Sequence, residues 1–225
     1  MVDHVAAVAV PYAEKAGLNI NWNDPSSIDS RLATIAQVPK EFDLPGIPWP
    51  DNFHYTGPFH SDQGRAPIPF PWEKLTGAPL IYASLGTLVN GLEYIYKAIL
   101  DAVGKISEVQ IVLAIGSNIN VEDLGPIPSN ALIVGSAPQI ELLKRAVLCI
   151  THAGLNTAPE ALAQGVPMVA IPIAFDQPGI AVRVAYHGLG EFIDADEATA
   201  ERLLQLISKV LKKFGLSRQS TLLPD

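Results

Sequence analysis

The chain has 225 residues, of which 48% are hydrophobic and 17% charged, enough for one full α/β domain and part of a second. Its formal net charge of −8 argues against a nucleic-acid groove, because binding of backbone phosphates requires a concentration of lysine and arginine. The longest apolar stretches are too short to span a bilayer and are interrupted by prolines. We therefore expect a soluble protein that does not bind nucleic acid and has no transmembrane segment.

The first 75 residues contain two predicted helices and a proline-rich stretch. The pattern predicts a helix at Val2–Lys15, ended by Gly17, and another at Arg31–Gln37. From Pro39 to Pro71 the chain carries eight prolines with aromatic residues between them. Because proline fixes φ and lacks an N–H donor, we expect no regular structure there but an extended linker that packs on another part of the protein.

From residue 76 onward, short apolar runs alternate with helical patterns. Strands that are apolar along their whole length, alternating with helices, are typical of a parallel sheet covered on both faces. We therefore predict a Rossmann-like, doubly wound α/β domain. The predicted strands are Pro79–Ala83, Gln110–Ile115, Ala131–Val134, Val147–Thr151, Met168–Ile171 and Gly190–Ile193. The predicted helices lie near Leu92–Gly104, Gln139–Ala146, Thr157–Gln164, Gly179–Tyr186 and Glu197–Phe214.

The single cysteine, Cys149, lies inside the fourth of these strands. It cannot form an internal disulfide, and no N-terminal signal pattern is visible, so we expect a cytoplasmic protein. A free cysteine in an apolar run is typically a buried small hydrophobic side chain rather than a nucleophile.

Polar and glycine-containing loops follow four of the predicted strands. In doubly wound sheets, ligands bind outside the carboxyl ends of the strands, so these loops are expected to meet at one edge of the sheet. They are Ser84–Thr87, Ser136–Gln139, Thr151–Gly154 and Pro172–Gln177.

The strongest local pattern is THAGLNTAPE at residues 151–160. We expect a small flexible turn and then a helix that begins near Asn156 or Thr157. Thr157 and Glu160 have the spacing of a capping box. The unpaired N–H groups and positive dipole at such a helix start favour a phosphate or diphosphate. The alternative interpretation is a well-capped helix after a core strand, without a ligand.

Within the same segment, His152, beside Gly154, would add a donor for the anion. Two neighbouring loops extend this candidate site. Ser84–Thr87 places hydroxyls around a glycine that lets the backbone approach a ligand closely. Asp176 and Gln177 combine a carboxylate acceptor with an amide that donates and accepts, which suits the vicinal hydroxyls of a sugar. Alternatively, they form a polar loop that starts a helix.

We predict neither a metal ion nor a cofactor. Asp194-Ala195-Asp196 fits the D-x-D pattern of metal-dependent sugar transferases, but acidic residues are also expected just before a helix. Four of the five histidines lack metal-ligand spacing and are expected to be surface or packing residues. These are His4, His54, His60 and His187.

These segments, in this order, resemble the nucleotide-diphosphate-sugar glycosyltransferases of family 1, which have the GT-B fold. Ala137–Gln177 carries the resemblance and reads APQIELLKRAVLCITHAGLNTAPEALAQGVPMVAIPIAFDQ. The family signature there is aromatic-x-P-Q, T-H-x-G-x-N-S-x-x-E, G-V-P and D-Q. FHYTGPFH at 53–60, PIPFPWEKL at 67–75 and PLIYASLGT at 79–87 resemble the bacterial branch that includes zeaxanthin glucosyltransferases.

The resemblance implies that residues 1–75 are a remnant of an acceptor domain with its interdomain linker. Residues 76–225 would be the donor-binding domain, the C-terminal half of a GT-B fold. It also implies a role for each matching residue. The base or ribose would meet Gln139, the backbone near Ala137, and Glu160. The diphosphate would be held by Thr87, His152, Gly154, Asn156 and Thr157. The hexose would be held by Asp176 and Gln177, and a glutamine at this last position is associated with glucose.

Two departures from the family pattern accompany these matches. Ser136 occupies the position of the aromatic residue that stacks on the base, which leaves uracil and thymine both open. The family's general base, a histidine near the start of the acceptor domain, has no matching motif here, so no catalytic base is assigned.

The implied reaction is inverting, metal-independent transfer of a hexose from a nucleoside diphosphate, with UDP-glucose favoured, to a hydroxyl of a small or lipophilic acceptor. One alternative is a donor-binding subunit that needs a separate acceptor-domain chain. Another is a non-catalytic nucleotide-binding remnant that self-associates through an uncovered apolar face.

Overall fold

The structure is a computed structural model that describes residues 2–21, 24, 27, 29–57, 65–86 and 91–214. The first helix, α1, spans Val2–Lys15 as predicted. The prediction of a helix at Arg31–Gln37 is wrong, because Thr34–Ala36 is a strand, β1. It pairs in parallel with β2, Phe53–Tyr55. Two β-branched residues in β1 favour extended backbone, and pairing with a segment almost twenty residues later decides the outcome.

The prediction of no regular structure between Pro39 and Pro71 is therefore only partly correct. Within this stretch, a turn of 3₁₀-helix forms at Lys40–Phe42 and β2 follows it, and a second 3₁₀ turn, Trp72–Lys74, comes directly after the stretch. Phe53–Tyr55 contains no proline, so each of its residues keeps the N–H group that strand pairing requires.

Six strands form a parallel sheet in the order β5-β4-β3-β6-β7-β8. Each observed strand matches a predicted one, with ends that agree to within one residue. The strands are β3 Leu80–Ser84, β4 Gln110–Ala114, β5 Ala131–Val134, β6 Ala146–Thr151, β7 Met168–Ala170 and β8 Gly190–Phe192. The helices are α2 Glu93–Val103, α3 Gln139–Leu143, α4 Thr157–Ala163, α5 Gln177–Tyr186 and α6 Ala200–Phe214.

Both faces of the sheet are covered, which explains why its strands are apolar throughout. In β4, Ile111 and Leu113 belong to one core cluster, together with residues of α2 and α6. Val112 and Ala114 belong to the other, with residues of α3, α4 and α5. Cys149 is fully buried in this second cluster, and burial raises the pKa of its thiol to about 12. It is a packing residue, as expected.

The strand order places a crevice beside β3 and β6. The chain moves outward through β3, β4 and β5 and then returns to add β6 on the other side of β3. Such a reversal separates the loops at the carboxyl ends of the two central strands. Ser84 and Thr151, the last residues of β3 and β6, are partners in the register, so their following loops start side by side.

The proline-rich segment packs on α5 through a buried carboxylate. Asp43 accepts hydrogen bonds from Trp49 Nε1 at 2.7 Å, from Tyr55 and from Arg183 Nε at 2.9 Å. Burial opposes ionisation of Asp43, but these hydrogen bonds outweigh it and lower its pKa to about 2. The expected packing of the proline-rich segment on another part of the protein is therefore observed, with α5 as its support. Within the described part of the chain, every helix is too short or too polar to cross a membrane.

Candidate functional site

A cleft of about 850 Å³ opens at the carboxyl ends of β3 and β6. Eight of the ten predicted donor-binding residues line it, so the expected convergence of loops is confirmed. These are Gln139, His152, Gly154, Asn156, Thr157, Glu160, Asp176 and Gln177. Ala137 is buried in the core beside the cleft, and Thr87 lies outside the described residues.

The turn between β6 and α4 is held by the strand that precedes it. Thr151 Oγ1 accepts a hydrogen bond from Ala153 N–H at 3.1 Å, and Ala153 has a φ of +63°. Positive φ is uncommon for a residue with a Cβ atom and stores local strain. The first hydrogen bond of the following helical turn runs from Ala158 N–H to Gly154 O at 3.0 Å. The backbone thus turns sharply into a helix at the edge of the cleft.

The predicted capping box is wrong. Asn156 is the residue before α4 and makes no capping hydrogen bond with its side chain. Thr157 and Glu160 are both buried, and their side chains interact with Gln139 instead of the start of their own helix. The N–H groups at the start of α4 are consequently not occupied by a side-chain cap, which leaves them suited to an anion.

His152 is wedged between two glycines. A Cβ atom at Gly86 would lie 2.7 Å from the imidazole Nε2, and one at Gly154 would lie 2.5 Å from the same atom. Both positions therefore exclude any larger residue as long as the ring stays in place. Burial lowers the pKa of His152, although its interaction with the Ser84 backbone and the charge of Asp176 act in the opposite direction. The neutral imidazole is thus favoured, with one ring nitrogen as donor and the other as acceptor.

A buried polar network forms the inner wall of the cleft. Glu160 is 2% exposed and accepts a hydrogen bond from Gln139 Nε2 at 2.7 Å. Tyr82 donates its hydroxyl to Gln139 Oε1 at 3.1 Å, and burial raises the pKa of that hydroxyl. Arg65 forms an ion pair with the other oxygen of Glu160. Gln139 thus orients Glu160, a role in addition to the ligand contact expected from the sequence.

Gln177 caps the turn that precedes its own helix. Its Oε1 accepts hydrogen bonds from Ile173 N–H at 2.8 Å and Ala174 N–H at 2.9 Å. The amide nitrogen is therefore the end of the side chain suited to a ligand. Phe175, with a φ of +60°, makes the turn, and Asp176 is exposed at the cleft. The second non-glycine residue with positive φ in the described part of the chain thus also lies at this site.

Residues 28–216 match the model of the family UDP-glucoronosyl and UDP-glucosyl transferase. The chain belongs to this glycosyltransferase family. Demethyllactenocin mycarosyltransferase of Streptomyces fradiae is 34% identical over 77% of this chain and 37% of that protein. Zeaxanthin glucosyltransferase of Pantoea ananas is 32% identical over 80% of this chain and 43% of that protein.

Solved structures agree with this family assignment. The glycotransferase of kitacinnamycin superposes with a TM-score of 0.71 at 27% identity, over 89% of this chain and 51% of that chain. The predicted α/β, Rossmann-like architecture is confirmed as part of a GT-B glycosyltransferase fold. The chain spans about half the length, or less, of these relatives.

Two residues that line the cleft, Gln37 and Arg65, were not predicted from the sequence. Gln37 Nε2 donates to Leu155 O at 3.5 Å, across 118 positions of the chain. Arg65 contacts Glu160 across 95 positions. Neither residue lies in a recognisable local motif, and both belong to the region assigned to the acceptor domain and linker. The cleft therefore draws side chains from before residue 76 as well as from the sheet and helices that follow.

Three of the residues set aside as unrelated to the site lie elsewhere in the structure, whereas His60 is outside the described residues and the side chain of His4 is not described. Asp194 precedes a 3₁₀ turn at Ala195–Glu197, ahead of α6. His187 stacks on Phe42, and His54 is exposed on β2. Among the residues that the structure describes, no group of three or more His, Cys, Asp or Glu side chains is arranged to hold a metal ion.

Proposed function

We propose that this chain binds a nucleoside diphosphate sugar, with UDP-glucose favoured, in the cleft between β3 and β6. The bound donor serves inverting, metal-independent transfer of a hexose to a hydroxyl of a small or lipophilic acceptor. The observation that carries the proposal is the placement of His152 between Gly86 and Gly154, directly before the uncapped start of α4. Because the chain spans less than half the length of these two relatives, we assign to the described cleft only the donor-binding part of this reaction.

The diphosphate is the group that this part of the site is suited to hold. As the bond to the sugar breaks, negative charge develops on the leaving diphosphate, and donors already in place stabilise it. The uncapped N–H groups of α4 and a neutral imidazole N–H supply such donors without a metal ion. Removal of one preorganised donor of this kind costs on the order of 3 kcal/mol of transition-state stabilisation.

The remaining polar groups fit the two sugars of such a donor. The Glu160 carboxylate, which takes one donor on each oxygen, has acceptor capacity left for the ribose diol. The carboxylate of Asp176 and the amide nitrogen of Gln177 complement the hydroxyls of a hexose. Glucose is favoured because Gln177 matches the glutamine of the family signature and because one relative is named a zeaxanthin glucosyltransferase.

A second candidate is a donor-binding subunit that acts only with a separate acceptor-domain chain, or a nucleotide-binding protein without turnover. The observation that favours it is that His152 is the one histidine among the described residues that line the cleft, and it lies at the proposed diphosphate position, so no catalytic base is assigned there. Donor hydrolysis and sugar transfer, measured with and without candidate acceptor-domain chains, distinguish these forms.

The test is calorimetric titration of the protein with UDP and with UDP-glucose. We expect both to bind, and we expect His152→Ala to weaken UDP binding roughly ten- to hundredfold, the effect of losing one hydrogen bond to a charged group. His54→Ala removes an exposed histidine on β2 and serves as the matched control. Absence of UDP binding by folded wild-type protein would contradict the proposal.

A further inference from the structure

Arg65 connects the proline-rich region to the inner wall of the cleft. It lines the cleft, and its side chain is 46% exposed, whereas the Glu160 side chain that it pairs with is 2% exposed. The ion pair thus joins a solvent-facing guanidinium to a buried carboxylate. Arg65 contacts Glu160 through its Nη2 atom, which donates a hydrogen bond to Glu160 Oε1.

Glu160 requires this partner because a buried carboxylate without a positive charge or donors is costly. Gln139 Nε2 holds Oε2 at 2.7 Å, and Arg65 holds Oε1. One donor on each oxygen fixes the plane of the carboxylate. Since each carboxylate oxygen accepts about two hydrogen bonds, each one keeps acceptor capacity for a ligand in the cleft.

A carboxylate held in this way matches a vicinal diol, whose two hydroxyls donate one hydrogen bond to each oxygen. A sugar with only one of these hydroxyls leaves one buried oxygen with an unmet acceptor site, which lowers affinity. Ribose presents this diol in a nucleoside diphosphate, whereas 2′-deoxyribose does not. The orientation of Glu160 therefore bears directly on the choice between the two sugars.

We propose that Arg65 is a positioning residue that orients Glu160 so that the cleft selects ribonucleoside diphosphates over their 2′-deoxy counterparts. This inference rests on the proposed function, because it requires a nucleoside diphosphate in the cleft. It assigns the donor to the UDP class and against the dTDP class. It also gives a residue of the region before the sheet a direct part in donor selection.

The experiment compares UDP with 2′-deoxy-UDP by calorimetry, using wild type, Arg65→Gln and Arg65→Lys. We expect wild type to prefer UDP by roughly tenfold or more, the effect of one hydrogen bond to a charged group. In Arg65→Gln the preference falls below about threefold, and Arg65→Lys, which keeps the charge, restores part of it. Arg202→Gln is the matched control, since Arg202 is 52% exposed and pairs with Glu197, away from the cleft.

The outcomes separate positioning from a general effect of charge. If the preference for UDP over 2′-deoxy-UDP is unchanged in Arg65→Gln, the inference is overturned. This includes the case in which the variant weakens both nucleotides by the same factor, because Arg65 then acts only through its charge. If the wild type binds UDP but the expected preference or its loss in Arg65→Gln is not observed, only the inference about Arg65 fails and the proposed function stands. If the wild type binds no nucleotide, the inference and the proposed function both fail. Thermal unfolding shows whether each variant is folded. If Arg65→Gln is not folded, the preference of Arg65→Lys for UDP over 2′-deoxy-UDP is compared with that of the wild type: a smaller preference supports the inference, and an equal one overturns it.

Discussion

Gly154→Ala tests directly whether the close packing of His152 matters for nucleotide binding. The added Cβ would lie 2.5 Å from Nε2, whereas an ordinary van der Waals contact begins at 3.4 Å, so the ring must retreat by roughly 0.9 Å. Gly86 also lies close to the ring, because a Cβ added there would be 2.7 Å from the same nitrogen. We expect a loss of stability of about 1 to 3 kcal/mol from overpacking.

We expect the loss of binding free energy to be similar in size to the loss of stability. A ring displaced by about 1 Å no longer donates a hydrogen bond of normal length, and loss of one hydrogen bond to a charged group costs about 1.5 to 3 kcal/mol, so we expect UDP affinity to fall roughly ten- to hundredfold. Calorimetry measures the affinity, and urea unfolding measures the stability. Gly91→Ala is the matched control, because a Cβ at Gly91 would meet nothing within 4 Å.

The double variant His152→Ala/Gly154→Ala completes the test. Without the imidazole, the Cβ at position 154 no longer overlaps the ring, so adding Gly154→Ala to His152→Ala should change stability by less than about 0.5 kcal/mol. If Gly154→Ala binds UDP with wild-type affinity, the assignment of His152 to the donor site is refuted. If Gly154→Ala costs the same stability with and without the imidazole, the close packing of the ring against Gly154 is refuted.

Two further predictions concern the buried polar groups. Tyr82→Phe removes the donor to Gln139 Oε1, so calorimetry should show UDP affinity reduced roughly fivefold, with Tyr94→Phe, at a half-exposed tyrosine, as control. Asp43→Asn should cost about 3 kcal/mol of stability near neutral pH, because it breaks the buried pair with Arg183. Since the pKa of Asp43 is lowered from 3.8 to about 2, the stabilisation is complete above pH 3.8 and is lost towards pH 2, so urea unfolding should show the wild-type advantage narrowing over that range.

The parallel sheet was predictable because burial on both faces leaves a direct trace in the sequence. Ala131–Val134 matches its prediction at both ends, and the other strands differ by one residue at most. The loops of the cleft followed from the same pattern, since the carboxyl ends of parallel strands share one edge. Residues 34–36 were different. Their pairing partner, Phe53–Tyr55, lies across a proline-rich segment, and no local pattern identifies it.

The limits of prediction at the site have the same physical origin. The sequence places Thr157 and Glu160 at capping-box spacing, but spacing within one helix does not reveal a competing partner in another element. Gln139 is that partner, and it engages both side chains. Arg65 completes the arrangement from 95 positions away. The chemistry of the first turn of α4 thus depends on residues that a local motif does not contain.

The Arg65–Glu160 pair bears on how the two regions of the chain depend on each other. Asp43 fastens the proline-rich segment to α5, Gln37 reaches the turn after β6, and Arg65 reaches α4. The contacts of Gln37 and Arg65 lie at the cleft, whereas Asp43 meets α5 near its C-terminal end, away from the cleft. A change in the position of residues 37–65 would therefore move the guanidinium that orients Glu160. In the proposed donor site, recognition therefore depends on residues of both regions, even though the recognisable signature lies in only one of them.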